Sequence, residues 1–592
     1  MKPVRLGLPA GAARRVGPVP LVAAAVAAAV AMLIAALAIG YWPAGSGSAR
    51  YDEGLDIGCD PGIDQALQEW SGEGFAGSIA VRGGDRECVA GYGLADRATG
   101  GEITPETVFD IGSVTKAVTA AAVFDLIDRG ELSLDDTAGQ HVGGLTGPIA
   151  AVSLRDLLLH SSGIVGAYHG YDHEPLSEAE AIEVISSMDI GFEPGTQYLY
   201  SNANYTLLAL VIESVAGGYR NYLSTAILVN GDGEPIGGFW DGEPAAQGPR
   251  AVGYLTADSG PGHMGGFAGP HWALDGGGAI AMTPSELAEW TRALFSGEII
   301  SEEAVEMLMS TTSHLASDEA VELPGWGRLD RDVIGVNALV TSGGGDAIGH
   351  VMDVVWLPDT GQAMVLAQSA GSWRTGSIAG DFLLPLGLGT GVPGPPEIPE
   401  PDPATVEAMA GTYRLGRGDR LQITEDGPGL LVTAEGPEAL AALFPVPAVL
   451  EADVERHEQQ ALAFIEGSTA DGRREREHLE SLYGLISSID LVGTIAGGGM
   501  TTLFEVGFER SGQQAGQPSG QLVAVSLNRF GGNEGAGVAA WPQALLVAGS
   551  TGDFIPYGAG PDDPRLSLAS VGGGVEITGP DGTMLAEPER DG

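Results

Sequence analysis

The sequence predicts an α+β protein of two folded domains behind an N-terminal apolar segment. Three observations lead there. The chain has 592 residues, 44% hydrophobic and 18% charged, which is too long for a single core and too apolar for wholesale disorder. Helical and strand patterns mix from residue 55 to 390 with no reliable internal repeat. A proline-rich run at 391–404, GVPGPPEIPEPDPA, cannot continue a helix or a central strand, so it reads as an extended linker to a second domain at 405–592.

In chain order, residues 1–18 form a basic tail, because Lys2, Arg5, Arg14 and Arg15 are its only charges. Residues 19–42 read as a transmembrane helix: Leu21 to Trp42 are uncharged, and these 22 residues would reach about 33 Å as a helix. The basic flank predicts a cytoplasmic N-terminus and an extracytoplasmic remainder. A cleaved signal peptide is the competing reading, since AGSGSA at 44–49 suits cleavage, but the apolar run exceeds the usual length of about 7–15 residues. Residues 43–54 are a linker. The only cysteines, Cys59 and Cys88, suit one disulfide in an oxidising exterior, with two unpaired buried thiols as the alternative. Two thiols alone supply too few ligands for a metal.

The second domain reads as β-rich α+β. GTYRL, RLQITED and LLVTAEG are strand-like, Leu450 to Ile489 has helical spacing, and strand-like runs then resume. LPDTG at 357–361 reads as a hairpin turn. The triple glycines, among them 276–278, lack the Lys-Ser/Thr of a phosphate loop and read as turns or close backbone approaches.

A net charge of −50 argues against nucleic acid or anionic lipid as the main partner. Within the basic set only Lys2 and Lys116 are lysine, against 26 arginines. Lys116 lies three residues after Ser113, at the start of a predicted helix running to Asp128, so both side chains share one face. A serine hydroxyl needs a neighbouring base, and a lysine in an apolar helix near its positive end is disfavoured as ammonium by burial and dipole together. The same helix terminus offers N–H groups to a developing oxyanion.

Two more segments follow in order: Tyr200-Ser201-Asn202, and a glycine-rich run, Ser342-Gly343-Gly344-Gly345, leading into two strands. With LRDLLLHSSGI at 154–164 and GGGAIAMTPSELAEW from 276, the stretch from about 57 to 385 resembles the serine beta-lactamase-related family. That family includes class C beta-lactamases, D-alanyl-D-alanine carboxypeptidases and related esterases. The resemblance implies a penicillin-binding-protein-like domain, with an antiparallel sheet flanked by helices, a helical subdomain and a cleft between them. It further implies Ser113 as acylated nucleophile, Lys116 as its proton partner, and Tyr200 as acid and base toward leaving group or water. Asn202 would orient lysine or substrate, and the N–H groups of Ser113 and Gly345 would form the oxyanion hole. No metal and no organic cofactor is implied.

The triplet Ser342-Gly343-Gly344 stands where relatives carry Lys-Thr-Gly or His-x-Gly, so a cation for a substrate carboxylate is missing there. An ester or D-amino-acyl amide is therefore the favoured substrate, small or peptidoglycan-like. A penicillin-binding carboxypeptidase or beta-lactamase proper, and a non-catalytic envelope binding or sensor protein, are the alternatives. His160 is expected to hold a loop, and His350 to be a surface or strand-end residue. Residues 219–262 depart from the family spacing and leave the substrate-side wall unread, as are the oligomeric state and the role of the second domain.

Overall fold

Seven antiparallel strands make the sheet on which the candidate site stands: β1 (Gly77–Arg82), β2 (Cys88–Tyr92), β3 (Ala320–Leu323), β4 (Trp326–Leu329), β5 (Ala338–Gly345), β6 (His350–Leu357) and β7 (Gln362–Gln368). Their spatial order is β3-β4-β5-β6-β7-β1-β2. The computed structural model describes most of residues 59–588; the longest internal stretches outside the description are 166–175, 255–269, 370–382, 510–518 and 557–566. The apolar segment expected to cross a membrane lies outside the described residues, and among these no helix is long and apolar enough to do so. Much of the expected linker at 391–404 is outside them too.

Both faces of the sheet are covered, and β7 shows how the sequence arranges it. Ala363, Val365 and Ala367 belong to one core, Met364 and Leu366 to the other, as the two-residue period of a strand requires. Helix α1 (Pro61–Gly72) covers the second face with Ile63, Leu67 and Trp70, spaced for one helical stripe. The first face carries α2 (Thr115–Asp128), α3 (Asn202–Ala216) and α4 (Pro284–Phe295). Helix α4 starts on a capping box of Thr283 and Glu286 with Pro284 at its first position. Helix α2 is buried almost all round, from Thr115 to Leu126, which explains why its sequence carries no polar stripe. The LPDTG run closes the β6–β7 hairpin, where the Thr360 and Gly361 N–H groups donate to the Leu357 carbonyl.

The second domain is a closed eight-stranded barrel with an insertion. Its strands are β8 (Gly411–Leu415), β9 (Asp419–Asp426), β10 (Gly429–Glu435), β15 (Gln543–Ala548), β16 (Phe554–Pro556), β17 (Ser567–Val571), β18 (Gly574–Gly579) and β19 (Gly582–Pro588). Tyr413, Leu421, Leu430, Val432, Leu546 and Ile577 fill it as a packed core. Between β10 and β15 the chain leaves the barrel to form α5 (Glu451–Ile465), α6 (Ala470–Tyr483) and a four-stranded sheet. The sheet comprises β11 (Leu485–Ala496), β12 (Met500–Glu509), β13 (Ser519–Leu527) and β14 (Asn533–Val538). The helical stretch expected to reach Ile489 ends at Tyr483: Gly484 has a φ of 110°, and Leu485 already opens β11.

Cys59, just ahead of α1, is joined by a disulfide to Cys88, the first residue of β2, with a sequence separation of 29. The bond ties the covering helix to the sheet edge and closes a loop in the unfolded chain. Replacing both cysteines by serine is expected to lower unfolding free energy by about 3 kcal/mol, read as a fall in denaturant midpoint that the reduced parent protein reproduces.

Candidate active site

Ser113 sits in a single 3-10 turn, Gly112–Val114, that runs directly into α2. Gly112 has a φ of 50°, and a Cβ there would lie 2.3 Å from the Gly344 nitrogen, so both conformation and space demand glycine. The turn is held from behind by Asp110, whose Oδ1 accepts the Gly112 N–H at 2.7 Å. Asp110 is itself buried, and desolvation raises its carboxyl to about 7.

One turn along, Lys116 is 3% exposed and its Nζ meets three acceptors: Ser113 Oγ at 3.0 Å, Asn202 Oδ1 at 2.8 Å and the Gly277 carbonyl at 2.9 Å. The Tyr200 and Tyr205 rings lie 4.9 and 5.7 Å from the same nitrogen. Burial lowers the amine to about 7. It therefore exists in both protonation states near neutrality. As ammonium it has three N–H groups for three acceptors; as neutral amine it keeps two, on Asn202 and Gly277, and its lone pair faces the Ser113 hydroxyl. On the other side of Ser113 Oγ stands Tyr200 Oη at 2.7 Å. Burial raises this phenol to about 12, although the Ser113 hydrogen bond pulls the other way. At neutral pH the phenol keeps a proton it can donate, and a neutral Lys116 amine can accept one.

Tyr200 and Asn202 flank the start of α3, and His160 braces that start. Its Nδ1 accepts the Ser201 N–H at 3.2 Å and lies 3.1 Å from Asn204 Nδ2, and its ring packs on Tyr200 at 4.5 Å between centroids. His160 takes the left-handed region at a φ of 51°, where a non-glycine residue is rare. Burial, with the nearby Lys116 charge second, holds its imidazole well below the usual range, so it is a neutral acceptor that holds the loop.

The fourth segment is the end of β5. Strand β4 pairs only with Ala338, Leu339 and Val340, so among the described strands Thr341 to Gly345 pair on one side alone, with β6. Gly343 is the glycine against the nucleophile: a Cβ there would come within 2.2 Å of the Ile111 carbonyl and 2.4 Å of the Ser113 nitrogen. Gly344, at a φ of 107°, packs on the His350 carbonyl, Ser342 is half-buried opposite Asp353, and Gly345 opposes His350.

His350 opens β6, as the strand-end expectation had it, but it is not the surface residue that was the other expectation. It is fully buried, accepts the Asp110 N–H at Nδ1 over 3.1 Å, and touches Phe109 and Trp240 edge-on. Desolvation lowers its imidazole to about 3, so it is a neutral brace between the nucleophile turn and β6. Asp353, three positions along the same strand, lies on its other face, opposite Ser342. Sequence reasoning missed Asp110 as a support and Gly277 as a lysine acceptor; for the latter the triple glycine at 276–278 was the available signal.

The profile of the Beta-lactamase family matches residues 63–366, just over half of the chain. The chain belongs to the beta-lactamase family. The chain is 28% identical over 246 residues to PbpX of Bacillus subtilis (strain 168), which is named as a penicillin-binding protein, covering 40% of this chain and 60% of that one. It is 29% identical over 236 residues to the teichoic acid D-alanine hydrolase of Staphylococcus aureus, covering 38% and 55%. The chain thus spans little more than half the length of these relatives. Among solved structures it is similar to the octameric penicillin-binding protein homologue of Pyrococcus abyssi, with 18% identity, a TM-score of 0.47, and coverage of 82% of this chain and 96% of that one.

Two outcomes test this geometry. With Ser113 as the expected nucleophile and neutral Lys116 as its expected base, kcat/KM for acylation is expected to rise with pH through a midpoint near 7, and Lys116→Arg, which keeps the charge but is no base, to abolish it in stopped-flow acylation. Gly343→Ala forces its methyl against the Ser113 turn and is expected to cut acylation by about 100-fold, measured as probe-labelling rate on protein that still unfolds cooperatively.

Proposed function

We propose that this beta-lactamase-family serine hydrolase cleaves an ester or a D-amino-acyl amide through a Ser113 acyl-enzyme. The observation that carries the reading is the Lys116 Nζ contact to Ser113 Oγ at 3.0 Å, with Tyr200 Oη 2.7 Å from the same oxygen. Lys116 takes the hydroxyl proton as Oγ attacks the acyl carbon. Tyr200 passes a proton to the leaving alcohol or amine, and the return of that path activates water for deacylation. Backbone N–H groups at Ser113 and on the free edge of β5 face the developing oxyanion.

The substrate class follows from charge. Ser342-Gly343-Gly344 brings no cation to the third motif, and a net charge of −50 repels polyanions, so a neutral or cationic acyl donor is favoured. The name of the Staphylococcus aureus relative, a teichoic acid D-alanine hydrolase, supports the D-alanyl part of this reading. A penicillin-recognising carboxypeptidase or beta-lactamase is the second reading, supported by the name of the Bacillus subtilis relative. In this reading the protein sits at the outer face of a membrane, held by residues 19–42; a Cys59–Cys88 disulfide suits that oxidising side.

A fluorophosphonate probe is expected to label the full chain and to fail on Ser113→Ala; equal labelling of both would remove Ser113 as nucleophile. Turnover of a D-alanyl or nitrophenyl ester without penicillin hydrolysis supports the first reading. Stable penicillin labelling without ester turnover supports the second.

A further inference from the structure

The Gly277 carbonyl is the one main-chain group among the three acceptors of Lys116, and residues remote from Ser113 aim it. Two positions earlier, Asp275 is wholly buried and gives both carboxylate oxygens to Arg220, at 3.0 Å from Nε and 2.7 Å from Nη2. The Arg220 Nη1 donates to the Asp241 carbonyl at 2.7 Å, and the guanidinium lies 4.2 Å over the Phe239 ring. The intervening Gly276 closes a cycle of hydrogen bonds. Its N–H donates to Tyr219 Oη at 3.1 Å, Thr119 Oγ1 donates to its carbonyl at 2.9 Å, and the two hydroxyls are 2.9 Å apart. Thr119 has a single proton and gives it to Gly276, so Tyr219 donates to Thr119. Gly276 has a φ of 91°, and a Cβ would fall 2.1 Å from the Tyr205 carbonyl.

Thr119 stands three residues after Lys116 on the same face of α2, so neighbouring turns of one helix grip the Gly276 and Gly277 carbonyls. A buried ion pair is a poor device for stability, because its desolvation offsets its attraction. It is a good device for fixing a direction.

We infer that Arg220 and Asp275, through the Tyr219–Thr119 hydroxyl cycle, are positioning residues for the catalytic base. They aim the Gly277 carbonyl so that the neutral Lys116 amine keeps its two N–H groups on Asn202 and Gly277 and turns its lone pair to Ser113. The inference rests on the acyl-transfer reading above. Arg220 holds the backbone at Asp241 as well. The groups facing the amine are Ser113, Asn202, Gly277 and the Tyr200 and Tyr205 rings, with neutral His160 beyond; Arg220 and Asp275 neutralise each other.

The scarcity of lysine makes this testable without turnover. The full chain grown with lysine labelled by carbon-13 at Cε gives two lysine signals, from Lys2 and Lys116. In Asp275→Asn and in the near-isosteric Thr119→Val, the Lys116 signal is expected to titrate at lower pH than in the parent, because the ammonium form has lost a well-aimed acceptor. Ester kcat/KM is expected to fall about tenfold or more through kcat, with KM little changed. Thr119→Ser, which keeps the hydroxyl, restores both. An unmoved titration in folded Asp275→Asn and Thr119→Val overturns the inference, whether or not kcat falls; if Asp275→Asn does not fold, Thr119→Val decides. Should the parent turn over no ester and take no probe, the acyl-transfer reading fails, and the titration still decides whether this network aims the amine.

Discussion

A single buried amine with three fixed acceptors imposes the main demand on the catalytic domain. Lys116 has to be neutral to take a proton and still be held in one orientation, and these requirements conflict. Hydrogen-bond acceptors favour the charged form, while burial favours the neutral one. The protein resolves this by burying the amine among α2, α3 and two tyrosine rings, where desolvation outweighs the acceptors and brings it to about 7. The acceptors that remain then serve to direct a lone pair.

Directing it requires three chain segments to reach one nitrogen, and each arrives by a different device. Ser113 and Lys116 share one helical face. Asn202 arrives at the first turn of α3, behind an extended Ser201 whose N–H is held by His160, itself in the left-handed region. Gly277 arrives in a tight glycine passage where a side chain at 276 has no room. The free edge of β5 approaches the same turn because Gly112, Gly343 and Gly344 let two backbones touch. Titratable groups around the site are kept electrically quiet. His160 and His350 are neutral acceptors of backbone N–H groups, and burial lifts Asp110 above the usual carboxylate range.

Local patterns made much of this legible. Helix α2, the strand alternation of β6 and β7, the hairpin at 357–361 and the serine, lysine, tyrosine and asparagine could be read because each rests on neighbours in sequence. What could not be read rests on distant partners. His350 could be read as surface or strand-end, and it is at a strand end, but the sheet buries it against Phe109 and Trp240. Strand-like runs at 411–435 and 543–588 gave no hint of joining one barrel around an inserted helix pair and sheet, since strand order depends on closure over more than 100 residues.

The sequence by itself determined the family, the serine with its lysine one turn away, and the expectation of a chemistry for which arginine would not serve. Those are matters of residue type and helical period. The tertiary structure alone decided what state the lysine is in and where its lone pair points. Both depend on desolvation and on a backbone carbonyl contributed by a segment 161 positions away, and no local pattern encodes either.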